Sequence, residues 1–229
     1  AMILDPVSYS AGCVLPPVGY LEGVQEILAR NEVLFLDDEV ITGFCRTGHM
    51  FAAETFSFVP DCMTLAKALS AAYQPIAAIV MSGAFYDELE RASDVIGTMP
   101  HAATYAGHPV AAAVAVRMLE IIEERDLMGH VRAVSPGLHR HIHALAGHEL
   151  VFNTRALGLG GAVQLHPLKG QPGARGQAMV QAMMDQGLLL RVVGDTINFS
   201  PPLIITAAEI DEMMRRFTAA LETLPREAA

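Results

Sequence analysis

Two ionisable residues, Asp38 and Lys67, carry the strongest chemical signal in the chain. Asp38 comes just after the apolar run 33–36, and Lys67 comes just after a second run at 62–65, where its neighbours are small and apolar. A short run of bulky and β-branched residues followed at once by acids reads as a buried strand that delivers carboxylates to the edge of a sheet. Open α/β sheets place their chemistry at that edge. An amine and a carboxylate delivered there suit two tasks: nucleophilic attack or proton carriage by the amine, and support of a nearby cation by the acid. Taken alone, each residue has an ordinary reading, the acid as a turn or helix cap and the lysine as a solvated surface group.

The combination is more specific. Residues 38–48 read Asp-Glu-Val-Ile-Thr-Gly-Phe-Cys-Arg-Thr-Gly, Pro60 and Asp61 follow, and residues 65–69 read Leu-Ala-Lys-Ala-Leu. This order and spacing resembles the class III aminotransferases, pyridoxal-phosphate (PLP) enzymes of fold type I, and the likeness continues over nearly the whole chain. Upstream, residues 12–21 resemble the family's Gly-Gly-Val-x-Pro-Pro-x-Gly-Tyr-Leu, with Ala11-Gly12 in place of the glycine pair and Asp5 where glutamate is usual. Alanine stands at 68, 72 and 77, where the family often has glycine. A methyl group costs about 1 kcal/mol or more where a turn requires positive φ.

The resemblance implies roles. Lys67 would condense with the cofactor aldehyde and later carry a proton as base and acid. It is expected in an apolar pocket that supplies the neutral amine. Asp38 would keep the pyridine nitrogen protonated, so that the ring can draw electrons. Val40, two residues on, would pack against the ring if the strand persists. Residues 104–109, Thr-Tyr-Ala-Gly-His-Pro, resemble a family motif in which Thr104 binds the phosphate of a neighbouring subunit's cofactor, which implies a homodimer with shared active sites. Residues 188–195, Leu-Leu-Leu-Arg-Val-Val-Gly-Asp, followed by Ser-Pro-Pro-Leu, resemble pyruvate-using ω-aminotransferases, in which Arg191 would grip a substrate carboxylate. The implied substrates are a small amine or amino acid donor and a keto acid or aldehyde acceptor. Class III aminomutase chemistry, a truncated dimerising chain without turnover, and metal binding by His139 and His143 remain alternatives; the histidines are four apart on a predicted helix.

The elements that must position these residues follow from pattern. A strand is expected at 1–6 and a helix at 21–31. A continuous apolar run at 76–82 reads as a buried strand. Pro109 opens a helix to about 124, rich in Ala and Val and expected to be buried on most sides. A helix at 127–146 comes next. Strands at 151–155 and 158–165 surround a glycine turn, and a helix is expected at 178–186, ended by Gly187. A hairpin turns at Gly194-Asp195, and a final helix starts from a capping box of Thr206 and Glu209. Gly158, Gly160 and Gly161 are not a dinucleotide fingerprint, because a strand follows them and not a helix. The expected fold is α/β. Residues 1–125 are read as the C-terminal part of the large mixed-sheet PLP-binding domain, and 126–229 as the small α+β domain. The whole chain is thus read as the C-terminal half of such an enzyme.

Composition sets the outer bounds. A formal charge of −10, with 15 Lys and Arg residues scattered through the chain, argues against a nucleic-acid or anionic-membrane surface. The 52% hydrophobic content excludes disorder and supplies a sizeable core. No apolar run reaches the length of a membrane span. Three irregularly spaced cysteines suit a reducing cytoplasm better than a disulfide framework.

Overall fold

The computed structural model describes residues 1–99 and 103–226. Residues 100–102, between Met99 and the Thr104 motif, lie outside the described residues. The chain divides into two compact units. The first holds Ala1–Pro6, Pro16–Phe44 and His49–Asp126; the second holds Val7–Leu15, Cys45–Gly48 and the chain from Leu127 onward.

The first unit is built on a mixed sheet of β1 (Met2–Leu4), β2 (Phe35–Asp38), β3 (Cys62–Leu65) and β4 (Ala78–Met81), in that order. The first three strands are parallel and β4 is antiparallel to β3. β2 begins two residues later than its apolar run. Val33 is still held by the preceding helix, its N–H donating to Leu28 O at 3.0 Å, whereas the Phe35 N–H donates to the Asp61 carboxylate at 2.8 Å. Helix α1 (Tyr20–Arg30) turns Leu21 and Leu28, one heptad apart, onto Phe35, Phe58 and Ala53, the last on the short helix α2 (Ala52–Thr55). The rings of Phe35 and Phe58 lie 5.2 Å apart and tilted.

Two expectations of burial are corrected in this unit. β4 is not enclosed: Ile79 and Val80 remain 50% and 46% exposed. An antiparallel edge strand buries only what packs onto its faces, whatever its composition. After helix α3 (Gly83–Ile96), helix α4 (Pro109–Glu124) buries a single stripe, Ala111, Ala115 and Ile122. Val110 and Val116 are exposed. The spacing of four and seven residues fits one helix face rather than burial all round.

The second unit is a fully antiparallel sheet of β5 (Val151–Leu157), β6 (Gly160–Leu165), β8 (Thr196–Phe199) and β7 (Arg191–Val193), in that spatial order. Helices α5 (Leu127–Ala144), α6 (Ala174–Asp185) and α7 (Ala207–Glu222) complete it. Leu138, Ile142, Ile197, Phe199 and Phe217 are fully buried, and the rings of Phe199 and Phe217 meet edge to face at 5.0 Å. The capping box at Thr206 forms, with Glu209 N–H donating to the Thr206 hydroxyl at 3.2 Å. α6 starts four residues before its expected position. Asp195, on the β7–β8 turn, accepts from Gly173 N–H at 2.7 Å and Gly176 N–H at 2.9 Å, so the helix start is capped from a distant segment.

Two short segments leave their sequence neighbours to join this unit. Tyr9 donates its hydroxyl to Leu157 O at 2.7 Å, and Arg155 donates to Gly12 O at 2.8 Å. The Arg46 guanidinium donates to Leu159 O and Pro201 O, both at 2.8 Å. Gly158, at φ 51°, lies where a Cβ would collide with the Arg46 and Thr47 backbone, so glycine is required for this approach.

Candidate active site

Asp38 is the last residue of β2 and stands in register with Thr64 of the parallel strand β3. One carboxylate oxygen, Oδ1, accepts from the Thr64 hydroxyl at 3.1 Å and from the Val40 N–H at 3.1 Å. The other, Oδ2, takes no hydrogen bond from the described residues. The half-buried carboxylate is thereby oriented through one oxygen and open through the other, which suits acceptance of an N–H from a cationic ring. Val40 differs from expectation. The strand ends at Asp38, so Val40 does not continue its face; its backbone N–H helps to hold the acid.

Lys67 follows β3 directly, at the start of a single 3₁₀ turn, Lys67–Leu69. The residue is exposed, where an apolar enclosure was expected. Leu65 and Leu69 turn into the core while the lysine is carried outward by a left-handed backbone at φ 46°. Ala71 and Ala72 are also left-handed, at φ 49° and 64°. Three non-glycine residues in this region within six positions are strained, and such strain clusters where a chain holds a functional group in place. The 3₁₀ turn packs against α4.

Thr104 is exposed in the turn that leads into α4. Pro109 opens that helix and His108 caps it without a side-chain hydrogen bond. The free N–H groups of the first turn can therefore take phosphate oxygens beside the Thr104 hydroxyl. Arg191 begins β7, the edge strand of the second unit, in register with Asn198. It is exposed, and its guanidinium makes no hydrogen bond or ion pair among the described residues.

The sequence reading did not single out the two acids beside Asp38. Asp37 and Glu39 are both fully buried. Glu39 accepts from Ala53 N–H at 2.9 Å and from the Thr42 hydroxyl, tying the end of β2 to α2. Among the described residues no N–H or hydroxyl donates to either oxygen of Asp37, and the Glu39 carboxyl lies within hydrogen-bond reach of it. Burial first, and then the Glu39 carboxyl beside it, push the Asp37 pKa up to about 9. Three acids in succession were legible in the sequence; which of them face inward was not.

His139 and His143 each turn to the protein. The His139 ring meets Gly158 O at 2.7 Å, and burial lowers its pKa, while the His143 ring meets the Thr154 hydroxyl at 3.0 Å. Among the described residues no group of three His, Cys, Asp or Glu side chains is placed to hold a metal ion.

The donor set of the first unit fits PLP: one carboxylate with an open oxygen, one amine, and a helix start with a hydroxyl beside it. The sequence has only two lysines, and Lys169 belongs to the second unit. The family model described as aminotransferase class III matches residues 1–221. The chain belongs to the class III aminotransferases. Among curated class III relatives, a probable gamma-aminobutyrate transaminase 4 of Oryza sativa subsp. japonica is 39% identical over 236 residues, which are 100% of this chain and 49% of the relative. An omega-aminotransferase of Caulobacter vibrioides is 38% identical over 96% of this chain and 50% of its own length. The solved omega transaminase of Pseudomonas jessenii in complex with PMP superposes at a TM-score of 0.93 with 36% identity, over 97% of this chain and 50% of that one. This class III chain spans about half the length of the curated relatives it matches.

Proposed function

We propose that this chain carries the lysine, ring-nitrogen partner and phosphate contacts of a PLP-dependent aminotransferase. That enzyme moves an amino group from an amine or amino acid to a keto acid or aldehyde, with a pyruvate-like acceptor. The observation that carries the reading is the pairing of Asp38 and Lys67 at the carboxyl ends of two adjacent parallel strands, with Asp38 Oδ2 left open. Bound there, PLP supplies an aldehyde that condenses with amines and a protonated ring that stabilises negative charge on the substrate carbon.

The chain's own residues do the rest. Asp38 would hold the ring N–H through Oδ2, its negative charge keeping that proton in place. Thr64 and the Val40 N–H keep Oδ1 aligned while this happens. Lys67 would hold the cofactor through its amine and, when that amine is free, would carry a proton as base and then acid. Val40, half-buried beside Asp38, would serve through the N–H that it donates to Asp38 Oδ1. Thr104 and the first N–H groups of α4 bind the phosphate of a second subunit's cofactor. Arg191 takes the acceptor's carboxylate in a bidentate, charge-assisted pair.

This reading assigns residues 1–125 to the large PLP-binding domain and 126–229 to the small one. A homodimer fits the exposed apolar side chains of the first unit, Val95, Ile96, Tyr105 and Val116. A reducing compartment, the cytoplasm on the sequence argument, suits three buried cysteine thiols; burial raises the Cys13 thiol to about 12. Some relatives are named as mitochondrial. No described helix is long and apolar enough to cross a membrane.

Borohydride reduction of PLP-loaded protein, followed by digestion, tests the assignment. The pyridoxyl group should appear on the peptide containing Lys67. A label on Lys169, or on neither lysine, removes the central residue of the proposal.

A further inference from the structure

We infer that Asp37 and Glu39 hold one proton between them, and that Asp37 is thereby a positioning residue that keeps a second negative charge away from Asp38. The part concerning Asp38 rests on the function proposed above.

The geometry leaves little alternative. Asp37 and Glu39 flank Asp38, and both turn into the protein where Asp38 does not. Both are 0% exposed, whereas Asp38 is half-buried. The two oxygens of Glu39 are satisfied separately, Oε1 by the Ala53 N–H at 2.9 Å and Oε2 by the Thr42 hydroxyl. Burial raises the Glu39 pKa above the usual carboxylate value, and these donors oppose that rise by favouring its ionised form. Asp37 has no donor at either oxygen. The titratable groups that face Asp37 are Glu39 and Asp38 on its own segment and Asp5, which follows β1 where Leu4 stands in register with Asp37. All three are acids. The register partner on β3, Met63, is uncharged. Among the described residues, Asp37, Asp38 and Glu39 make no ion pair with any basic side chain. A buried carboxylate with neither cation nor donor is far costlier than a neutral acid, and two carboxyls sharing a site retain one proton. The proton resides on Asp37 and is donated toward Glu39. The rise of the Asp37 pKa to about 9 agrees with this.

The consequence reaches Asp38. With Asp37 neutral, the carboxyl on the N-terminal side of Asp38 adds no negative charge to that of Glu39. Once Asp37 ionises, a second like charge, beside that of Glu39, sits one residue from Asp38.

The proton can be observed without cofactor. In the 229-residue chain carrying ¹³C-labelled aspartate carboxyls, one resonance, identified by its loss in Asp37→Asn, should titrate with a midpoint near pH 9. A midpoint in the usual range of about 4 overturns the inference. Stability gives a second reading. The folded pKa lies above the unfolded value of about 3.9, so the contribution of Asp37 is complete below about pH 4 and is lost as pH rises toward the folded value. Across that window the folding constant of the wild type should fall about tenfold per pH unit relative to Asp37→Asn. Parallel curves contradict the inference, and if the variant does not fold, the wild-type titration still decides. In PLP-loaded protein, the cofactor absorbance of the wild type should change as Asp37 ionises, and that of Asp37→Asn should not. Identical profiles overturn the role toward Asp38 while leaving the shared proton to the NMR result. A borohydride label away from Lys67 overturns the proposed function instead.

Discussion

Thr64 donates its hydroxyl to Asp38 Oδ1 at 3.1 Å across the parallel β2–β3 pair, so the strand that leads to the lysine also orients the acid. A hydrogen bond to a charged group contributes about 1.5–3 kcal/mol. Asp38 is half-buried, so the lower end applies. Thr64→Val should weaken PLP binding about tenfold in an absorbance titration, and Thr64→Ser should restore it. Unchanged binding in Thr64→Val would show that the Val40 N–H suffices.

Asp38→Asn tests the acid itself. An amide keeps the Thr64 contact but cannot balance a protonated ring, so PLP should remain bound while the proton-transfer half-reaction slows by several orders of magnitude. Stopped-flow absorbance reads the rate directly. A near-normal rate would assign the role to a different acid.

Arg191→Ala should separate the two half-reactions. Loss of a charge-assisted carboxylate pair corresponds to about one to two decades in specificity for the keto acid. An uncharged amine donor makes no such contact, so its half-reaction should be spared. Equal losses in single-turnover measurements would mean a structural arginine, and no loss in either would place the carboxylate elsewhere.

Ala72→Gly should stabilise the protein. Ala72 sits at φ 64°, a conformation that costs an L-residue about 1–2 kcal/mol, partly offset by the entropy glycine loses on folding. A net gain of about 1 kcal/mol should raise the urea midpoint without changing the slope. Ala68→Gly makes the control, because Ala68 has no positive φ and should lose stability instead.

Asp195→Ala should destabilise the second unit by about 1–2 kcal/mol, because two N–H groups at the start of α6 lose their acceptor. Amide exchange at Gly173 and Gly176 should quicken before that in β6. Uniform exchange would mean that the cap does not define the helix start.

Much of this was legible in the chain itself. Local patterns determined the strand ending near Asp38, the strand before Lys67, the helix opened by Pro109 and the capping box at Thr206. Each depends on residues within a few positions of one another. The motifs at 38–48, 65–69, 104–109 and 188–195 carried the family in the same way, by order and spacing along the backbone.

Tertiary structure decided the rest, because each remaining feature depends on a partner distant in sequence. The start of α6 required Asp195, and the start of β2 required Asp61. The segments 7–15 and 45–48 joined the second unit through contacts with residues more than 100 positions away. The exposure of Lys67 followed from a left-handed turn that alanine-rich sequence does not announce. The division of labour among Asp37, Asp38 and Glu39 was set the same way. Composition placed three acids in a row, but only the packing of β1, β2 and α2 could bury two of them, leave one without a donor, and keep Asp38 oriented by Thr64.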